Sequence, residues 1–132
     1  MTKHAMTDAL DLAFIDRLWA DWSPGYDASE DLPLVKACLG DPANLAAAVG
    51  YYRAIFGNGP TDPELAGEQA AVSLTAPQPL LYLHGADDGC MGADIVDASV
   101  ATETVIVDKS GHFLHLEQPD EVNTRILDFV TP

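Results

Sequence analysis

Two short runs of apolar residues set the strongest limit on how this chain can fold. Residues 80–83 (LLYL) and 104–107 (TVIV) are each bounded by turn-forming or polar residues, a pattern that predicts two β-strands. Residues 93–101 between them have helical character, so we expect a βαβ unit with parallel strands. Such apolar parallel strands are usually covered on both faces, and a two-stranded sheet alone is marginal. We therefore expect a missing N-terminal half, a partner or self-association through the open strand edges to complete the sheet.

The first half of the chain is predicted to be helical. In residues 7–22 apolar side chains recur at four-residue spacing, which is typical of an amphipathic helix. A second, short helix is predicted over residues 32–39. Asp41 as an N-cap followed by Pro42 predicts the start of a third helix. The apolar stripe of this third helix comprises Leu45, Val49, Tyr52 and Phe56.

The last segment of the chain is also predicted to be helical. Pro119 occupies a first-turn position that favours helix initiation. The apolar residues that follow form one stripe, which we expect to be buried: Val122, Ile126, Phe129 and Val130. The character of the chain changes near residue 76, where a Pro-, Gly- and Ala-containing stretch gives way to the first strand. We therefore divide the chain into a helical segment, 1–76, and an α/β segment, 77–132.

The charge balance limits the partners that this chain can bind. Lys and Arg number 6 and Asp and Glu number 21, which gives a formal net charge of −15. Such a charge repels phosphate backbones and anionic lipid surfaces, so we expect neither nucleic acid nor a membrane as a partner. The first residues lack a signal core, and no apolar run is long enough to span a bilayer. We expect a soluble, cytoplasmic protein.

Cysteine and histidine spacing argues against a metal or a cofactor. Cys38 and Cys90 show no CxxC spacing, so neither a disulfide framework nor a structural zinc site is indicated. Six side chains could be imagined as a metal cluster, but their spacing matches no familiar ligand set: His84, Asp87, Asp88, Cys90, Asp94 and His115. We therefore expect no metal and no cofactor, and the thiols fit a reducing cytoplasm.

Polar residues follow each predicted strand at the point where the strand ends. Asp88 comes shortly after Gly85 on the first strand, and His112 comes after the second strand. The carboxyl ends of parallel strands share one edge, where open α/β sheets place their active sites. There a carboxylate accepts a hydrogen bond from an imidazole and stabilises the cation that forms when the imidazole takes a proton. Asp88 and His112 are therefore candidate catalytic residues.

These two stretches of sequence also resemble a known family. LLYLHGADD, which ends at Asp88, and DKSGHFLHLEQPDEVNTRILDFV, which contains His112, look like the units that close the α/β-hydrolase fold, acid before histidine. The resemblance implies an α/β fold that forms the C-terminal part of this family, with a helical lid (1–76) followed by a βαβα unit with parallel strands. It also implies that Asp88 is the triad acid and that Asp87 holds the turn. His112 would be the general base that activates water to release a covalent intermediate.

The helical segment is similar to the lid of the epoxide hydrolase and haloalkane dehalogenase branch. In that branch a Tyr in a Tyr-Tyr-Arg setting faces the substrate, and residues 49–53 (VGYYR) match it. The match implies that the Tyr52 hydroxyl donates a hydrogen bond to the atom on which negative charge develops. The implied substrate is a small apolar electrophile, namely an epoxide, an organohalide or an ester. Packing explains a tyrosine on an apolar stripe equally well.

The nucleophile and two other functions stay open. The family carries its nucleophile in a Gly-x-Ser-x-Gly or Gly-x-Asp-x-Gly elbow, and we expect this chain to be truncated and to lack that segment. Whether the nucleophile is Ser or Asp decides between ester chemistry and epoxide or halide chemistry. One alternative is a non-catalytic fragment or interaction module whose sheet needs a partner. The other is a small acidic binding domain in which His112 is structural.

Overall fold

The chain forms a mixed α/β structure with two compact units. The computed structural model describes residues 12–59, 61–72, 74 and 77–131. Its helices and strands, in chain order, are α1 (Ala13–Trp22), α2 (Asp31–Leu39), α3 (Pro42–Ile55), α4 (Ala66–Ala71), β1 (Leu81–Gly85), β2 (Glu103–Val107), α5 (Leu114–Glu117) and α6 (Pro119–Val130). One unit contains the described residues within Met1–Ala28 and Ala76–Pro132, and the other contains those within Ser29–Thr75.

The sheet of the first unit consists of two parallel strands. β1 pairs with β2 in a register that runs from Leu81 opposite Glu103 to Gly85 opposite Val107. The predicted strands and their parallel pairing are therefore confirmed. His84 and Gly85 on β1 and Val107 on β2 are buried, so the carboxyl end is the best-covered part of the sheet.

The crossover between the strands differs from the prediction. In place of a helix over residues 93–101, the structure has two 3₁₀ turns, Ala93–Ile95 and Ala98–Val100. The backbone is extended at Asp97, whose carboxylate accepts a hydrogen bond from the Ser99 N–H at 2.9 Å. Such a local side-chain bond competes with helix formation. The helical prediction for this segment is therefore wrong, and the connection is irregular apart from these two turns.

Helix α1 belongs to the same compact unit as both strands. Its buried residue is Trp19, whose ring stacks on Phe113 with centroids 4.1 Å apart. The division of the chain after residue 76 grouped α1 with the other helices, whereas its contacts lie with the α/β residues. Residues 7–11 of the predicted first helix lie outside the described part of the chain.

The buried core of the first unit is small. Among the described residues, the buried apolar side chains are Leu12, Trp19, Val107 and Val122. On α6 only Val122 is buried, whereas Ile126 and Val130 are 43% and 63% exposed. α6 packs on β1, and a sheet of two strands is too narrow to cover both sides of the helix stripe. The prediction of a buried stripe is therefore wrong for Ile126 and Val130.

The second unit is helical throughout its regular elements. α2 packs on α3, and a 3₁₀ turn, Pro63–Leu65, leads into α4. The Asp41 carboxylate accepts a hydrogen bond from the Ala43 N–H at 2.7 Å, which confirms the predicted N-cap. The apolar stripe on α3 is largely open, since Tyr52 and Phe56 are 54% and 73% exposed. Within the described residues, no helix has the length and apolar content needed to cross a membrane.

Candidate active site

The loops that follow β1 and β2 leave the sheet at one edge and are bonded to each other. The Ala86 N–H donates to the Val107 carbonyl at 2.9 Å, and the Asp87 N–H donates to the Ser110 carbonyl at 2.8 Å. The parallel register places the strand ends, Gly85 and Val107, side by side. The turn after β1 and the loop after β2 are therefore held together by backbone hydrogen bonds before any side chain contributes.

The structure brings the two predicted catalytic residues into contact. His112 Nδ1 lies 3.0 Å from Asp88 Oδ2. The other carboxylate oxygen of Asp88, Oδ1, accepts hydrogen bonds from the backbone N–H groups of Cys90 at 2.7 Å and Met91 at 3.0 Å. The Asp88 side chain is 7% exposed and that of His112 is 32% exposed. The carboxylate is therefore fixed in place, while the imidazole remains open to solvent.

The electrostatics of Asp88 determine the state of this pair. Burial alone would raise the pKa of Asp88, but hydrogen bonds from the Met91 N–H, His112 and the Cys90 N–H outweigh it, so the pKa is lowered from its ordinary value. An ionised carboxylate has no proton to donate, so His112 Nδ1 is the donor in their hydrogen bond. In a neutral imidazole, Nε2 is then free to accept a proton, as a general base requires.

The lowered pKa of Asp88 predicts a pH dependence of stability. The folded chain holds its proton on Asp88 less tightly than the unfolded chain, in which an Asp has a pKa of about 3.9. The stabilisation from Asp88 is therefore complete well above that value and is lost as the pH falls through the lower, folded pKa. In urea unfolding from pH 7 downward, the stability difference between the parent and Asp88→Asn should shrink below about pH 4. Asp108→Asn, which removes an exposed charge, is the control, and an equal pH dependence for both variants would contradict this prediction.

The end of α1 positions both members of the pair. The Trp22 carbonyl accepts hydrogen bonds from the Gly89 N–H at 3.1 Å and the His112 N–H at 3.0 Å. The Trp22 ring also meets the His112 ring edge-on, with centroids 4.7 Å apart. The sequence alone leaves open whether Trp22 lines a substrate pocket or anchors the helix by packing. Its position next to both loops assigns it a role in holding the site.

Buried Ser23 and the carboxylate of Glu117 hold the loop after β2 that carries His112. The Ser23 hydroxyl donates to Glu117 Oε1 at 2.7 Å and accepts from the Phe113 N–H at 3.1 Å. Glu117 Oε2 accepts from the Gly111 N–H at 2.9 Å. The two residues on either side of His112 are thus anchored through their backbone N–H groups. No local signal in the sequence marks Ser23 for this role, because the contact joins residues 94 positions apart.

Replacing Ser23 tests the strength of this anchor. Ser23 is 1% exposed, so Ser23→Ala leaves the Phe113 N–H without its acceptor in a buried place. We expect the free energy of unfolding to fall by about 1–3 kcal/mol, measured by urea denaturation. Thr124→Ala, at an exposed position of α6, should change stability by no more than about 0.5 kcal/mol. Equal effects of the two variants would refute the anchoring role.

His84 is a second histidine at the site. It supports the turn after β1 that carries Asp88, which we call the acid turn. It is 5% exposed, with Nε2 2.8 Å from the Met91 carbonyl and Nδ1 2.9 Å from the Tyr82 hydroxyl. A carbonyl only accepts, so Nε2 carries the proton and Nδ1 accepts from Tyr82. Because the Met91 N–H bonds to Asp88, His84 holds the loop that fixes the carboxylate.

The sequence contains the Gly-x-Asp-x-Gly spacing once, at Gly85–Gly89, so the expectation that it is absent was wrong. Asp87 occupies the central position of this string. A nucleophile elbow is a strained turn that leads directly from a strand into a helix. Here a turn and bends follow β1, and Asp87 is not among the described residues with positive φ, which are Leu12 and Lys109 besides two glycines. The string therefore forms the acid turn and lacks the geometry of an elbow.

Cys90 places a thiol beside the pair. Its thiol is one of three potential metal-ligand groups, with Asp88 and His112, whose ligand atoms lie within 4.8 Å of one another. Partial burial and the neighbouring Asp88 carboxylate raise the pKa of the Cys90 thiol. A raised pKa keeps the thiol protonated at neutral pH, whereas a nucleophilic cysteine needs its thiolate. In the metal-free chain the Cys90 thiol is therefore not an activated nucleophile.

Comparison with known proteins gives no relative. No family model matches the sequence, and neither a curated protein nor a solved structure matches it. The chemistry of the site therefore rests on its own residues and their geometry.

Tyr52 belongs to the second compact unit. It lies on α3 with 54% of its side chain exposed, and its ring meets that of Tyr51 edge-on with centroids 5.7 Å apart. Tyr51 is exposed as well, at 66%, so exposure does not distinguish the two tyrosines. The role of Tyr52 in substrate binding stays a prediction.

Proposed function

We propose that this chain supplies the acid and histidine of a hydrolase active site of the α/β-hydrolase type. The observation that carries the proposal is the 3.0 Å hydrogen bond between His112 Nδ1 and Asp88 Oδ2. It lies at the carboxyl ends of two parallel strands, the edge where open α/β sheets bind their substrates. The acid-before-histidine order adds support, since it is the order of that family.

In this proposal His112 activates water. Its Nε2 takes a proton from a water molecule as the water oxygen attacks the electrophilic carbon of an ester that joins substrate and enzyme. The ester C–O single bond breaks, and the imidazolium returns its proton to the departing oxygen, which is that of a Ser nucleophile or, with an Asp nucleophile, that of the substrate. Asp88 stabilises the imidazolium and holds the ring in the required tautomer. The 32% exposure of His112 is consistent with access for water.

The nucleophile is proposed to lie on a polypeptide segment outside this sequence. No Gly-x-Ser-x-Gly string occurs in the sequence, Asp87 lacks elbow geometry, and the raised pKa of Cys90 disfavours a thiolate. A parallel sheet of two strands is marginal by itself. Apolar residues on α6, the helix that packs on β1, are exposed, namely Ile126, Leu127 and Val130. A segment that adds strands beside β1 and β2 would complete the sheet and bring a Ser or Asp nucleophile to the same edge.

The proposed substrate is a small apolar electrophile: an ester, an epoxide or an organohalide. The Trp22 ring beside His112 supplies an apolar surface at the reacting edge. The Tyr52 hydroxyl is proposed to donate a hydrogen bond to the oxygen or leaving group that gains negative charge.

An activity assay tests the proposal. The DNA upstream of the Met1 codon is translated in all forward frames, and the longest polypeptide in frame with this chain is purified alongside the chain itself. Both are assayed with p-nitrophenyl acetate and styrene oxide. We expect saturable hydrolysis of one substrate class by the extended polypeptide, and the class identifies the nucleophile as Ser or Asp. Absence of hydrolysis from both polypeptides on both substrates and on an organohalide, 1-chlorobutane, would overturn the proposal.

A second candidate function is a non-catalytic module that completes its sheet with a partner chain. The exposed apolar residues on α6 favour it, namely Ile126, Leu127 and Val130 at 43%, 61% and 63% exposure. Open strand edges invite association with further strands. Hydrolysis by the purified chain or by the extended polypeptide would exclude this reading.

A further inference from the structure

The geometry assigns a second property to the acid and histidine edge: Asp88, Cys90 and His112 form a binding site for Zn²⁺. One ligand atom from each residue, a carboxylate oxygen, a thiol sulfur and a ring nitrogen, lies within 4.8 Å of the other two. These three atom types are the ligands that zinc takes from proteins. The site goes beyond the proposed hydrolase function and does not depend on it.

The distances between the three ligand atoms would fit a zinc ion after a small movement that brings the atoms closer together. Zinc bonds of about 2.0–2.3 Å in tetrahedral geometry place the ligand atoms roughly 3.3–3.8 Å from one another. Cys90 is exposed, on a loop without regular structure, so its side chain can turn toward the other two ligands. Three protein ligands leave the fourth zinc position for water, as in catalytic zinc sites.

The surroundings fix two of the three ligands in advance. The Asp88 carboxylate is held by the backbone N–H groups of Cys90 and Met91, and the His112 backbone is held by the Trp22 carbonyl. Such outer contacts orient ligands and raise metal affinity. His84 Nε2 lies 3.8 Å from Asp88 Oδ2 but is bonded to the Met91 carbonyl, so it is an outer contact and not a fourth ligand.

Charge favours a cation at this edge. The Asp88 carboxylate places a negative charge beside the Cys90 thiol. The same negative charge attracts a divalent cation, and zinc displaces the thiol proton when it binds. The formal net charge of −15 raises the local cation concentration further. Sequence spacing did not reveal the site, because His112 lies 24 residues after Asp88.

Zinc and the base function of His112 exclude each other. Binding through Asp88 and His112 competes with the hydrogen bond between them, and a coordinated ring no longer alternates between base and acid. In the proposed hydrolase, zinc is therefore an inhibitor.

Metal titration of the purified chain tests this site without any activity assay. The chain is treated with a chelator, dialysed and titrated with Zn²⁺ by calorimetry, and then with Co²⁺ while the near-ultraviolet absorption is followed. We expect one Zn²⁺ per chain and a cobalt absorption band that arises from a thiolate ligand. Cys90→Ser should abolish the band and weaken Zn²⁺ binding at least about 10-fold, the loss that follows removal of even an outer partner.

The second cysteine provides the matched control. Cys38 is also exposed, and Cys38→Ser should leave the stoichiometry, the affinity and the cobalt band unchanged. Equal Zn²⁺ affinities of the two serine variants, or a cobalt spectrum without a thiolate band, would overturn the site and indicate adsorption to the acidic surface. Circular dichroism of both variants verifies that each is folded. A negative result leaves the hydrolysis assay unaffected, so the two proposals fail independently.

Discussion

Replacing Gly85 with alanine is expected to lower the free energy of unfolding by about 3 kcal/mol or more. A Cβ at Gly85, the last residue of β1, would collide with the backbone carbonyls of Gly111 and Ser110. These atoms are part of the loop that is hydrogen-bonded to the acid turn, so they cannot move without breaking the contact between the two loops. Urea denaturation monitored by tryptophan fluorescence measures the loss, because Trp19 and Trp22 both lie in this unit.

Gly92→Ala in the same unit is the matched control for that substitution. A Cβ at Gly92 would meet only the Asp94 side chain, at 2.5 Å, and this exposed side chain can rotate away. Fewer conformations of the unfolded chain then favour the alanine by about 0.4–1 kcal/mol. If Gly85→Ala and Gly92→Ala have similar stabilities, the close approach of the two loops is wrong, and with it the geometry of the candidate site.

The regular elements are predictable because their signals are local. The apolar runs of both strands and the Asp41-Pro42 cap each lie within a few residues, and the structure confirms all three. The crossover was mispredicted because the bond between Asp97 and the Ser99 N–H competes with a helix. Burial on α6 was mispredicted for a different reason. A stripe at helical spacing predicts which face is apolar, whereas exposure depends on how many strands lie beneath it.

The same contrast between local signals and tertiary packing applies to the residues of the candidate site. Asp88 and His112 were predictable because parallel strands bring their carboxyl ends to one edge, so position along each strand is enough. Ser23, Trp22 and Cys90 were assigned no role in the site, because their contacts depend on how α1 and the two loops pack. The residues that support a site are brought together by tertiary packing, about which a single sequence says little.

If the proposed hydrolase function holds for the extended polypeptide, Asp88→Asn is expected to reduce its kcat by roughly 10²–10⁴-fold. In that proposal Asp88 acts through His112 without touching substrate, so KM should change little. An asparagine can present its NH₂ to His112 Nδ1, which stabilises the tautomer whose Nε2 carries a proton and cannot serve as a base. Steady-state kinetics of the extended polypeptide measures the loss, at a temperature where circular dichroism shows that the variant is fully folded, so that the kcat effect is separated from unfolding.

Asp87→Asn is the neighbouring control for this prediction. Asp87 is exposed and its backbone N–H, which the substitution retains, bonds to the Ser110 carbonyl. Activity should therefore change by less than about 3-fold, the scale of a surface change worth roughly 0.5 kcal/mol. If Asp87→Asn abolishes turnover while Asp88→Asn does not, the Gly-x-Asp-x-Gly string holds the reacting carboxylate after all. Loss with Asp88→Asn alone leaves Asp87 in the turn and makes Asp88 the residue that positions His112, since the two carboxylates differ mainly in which one reaches the imidazole.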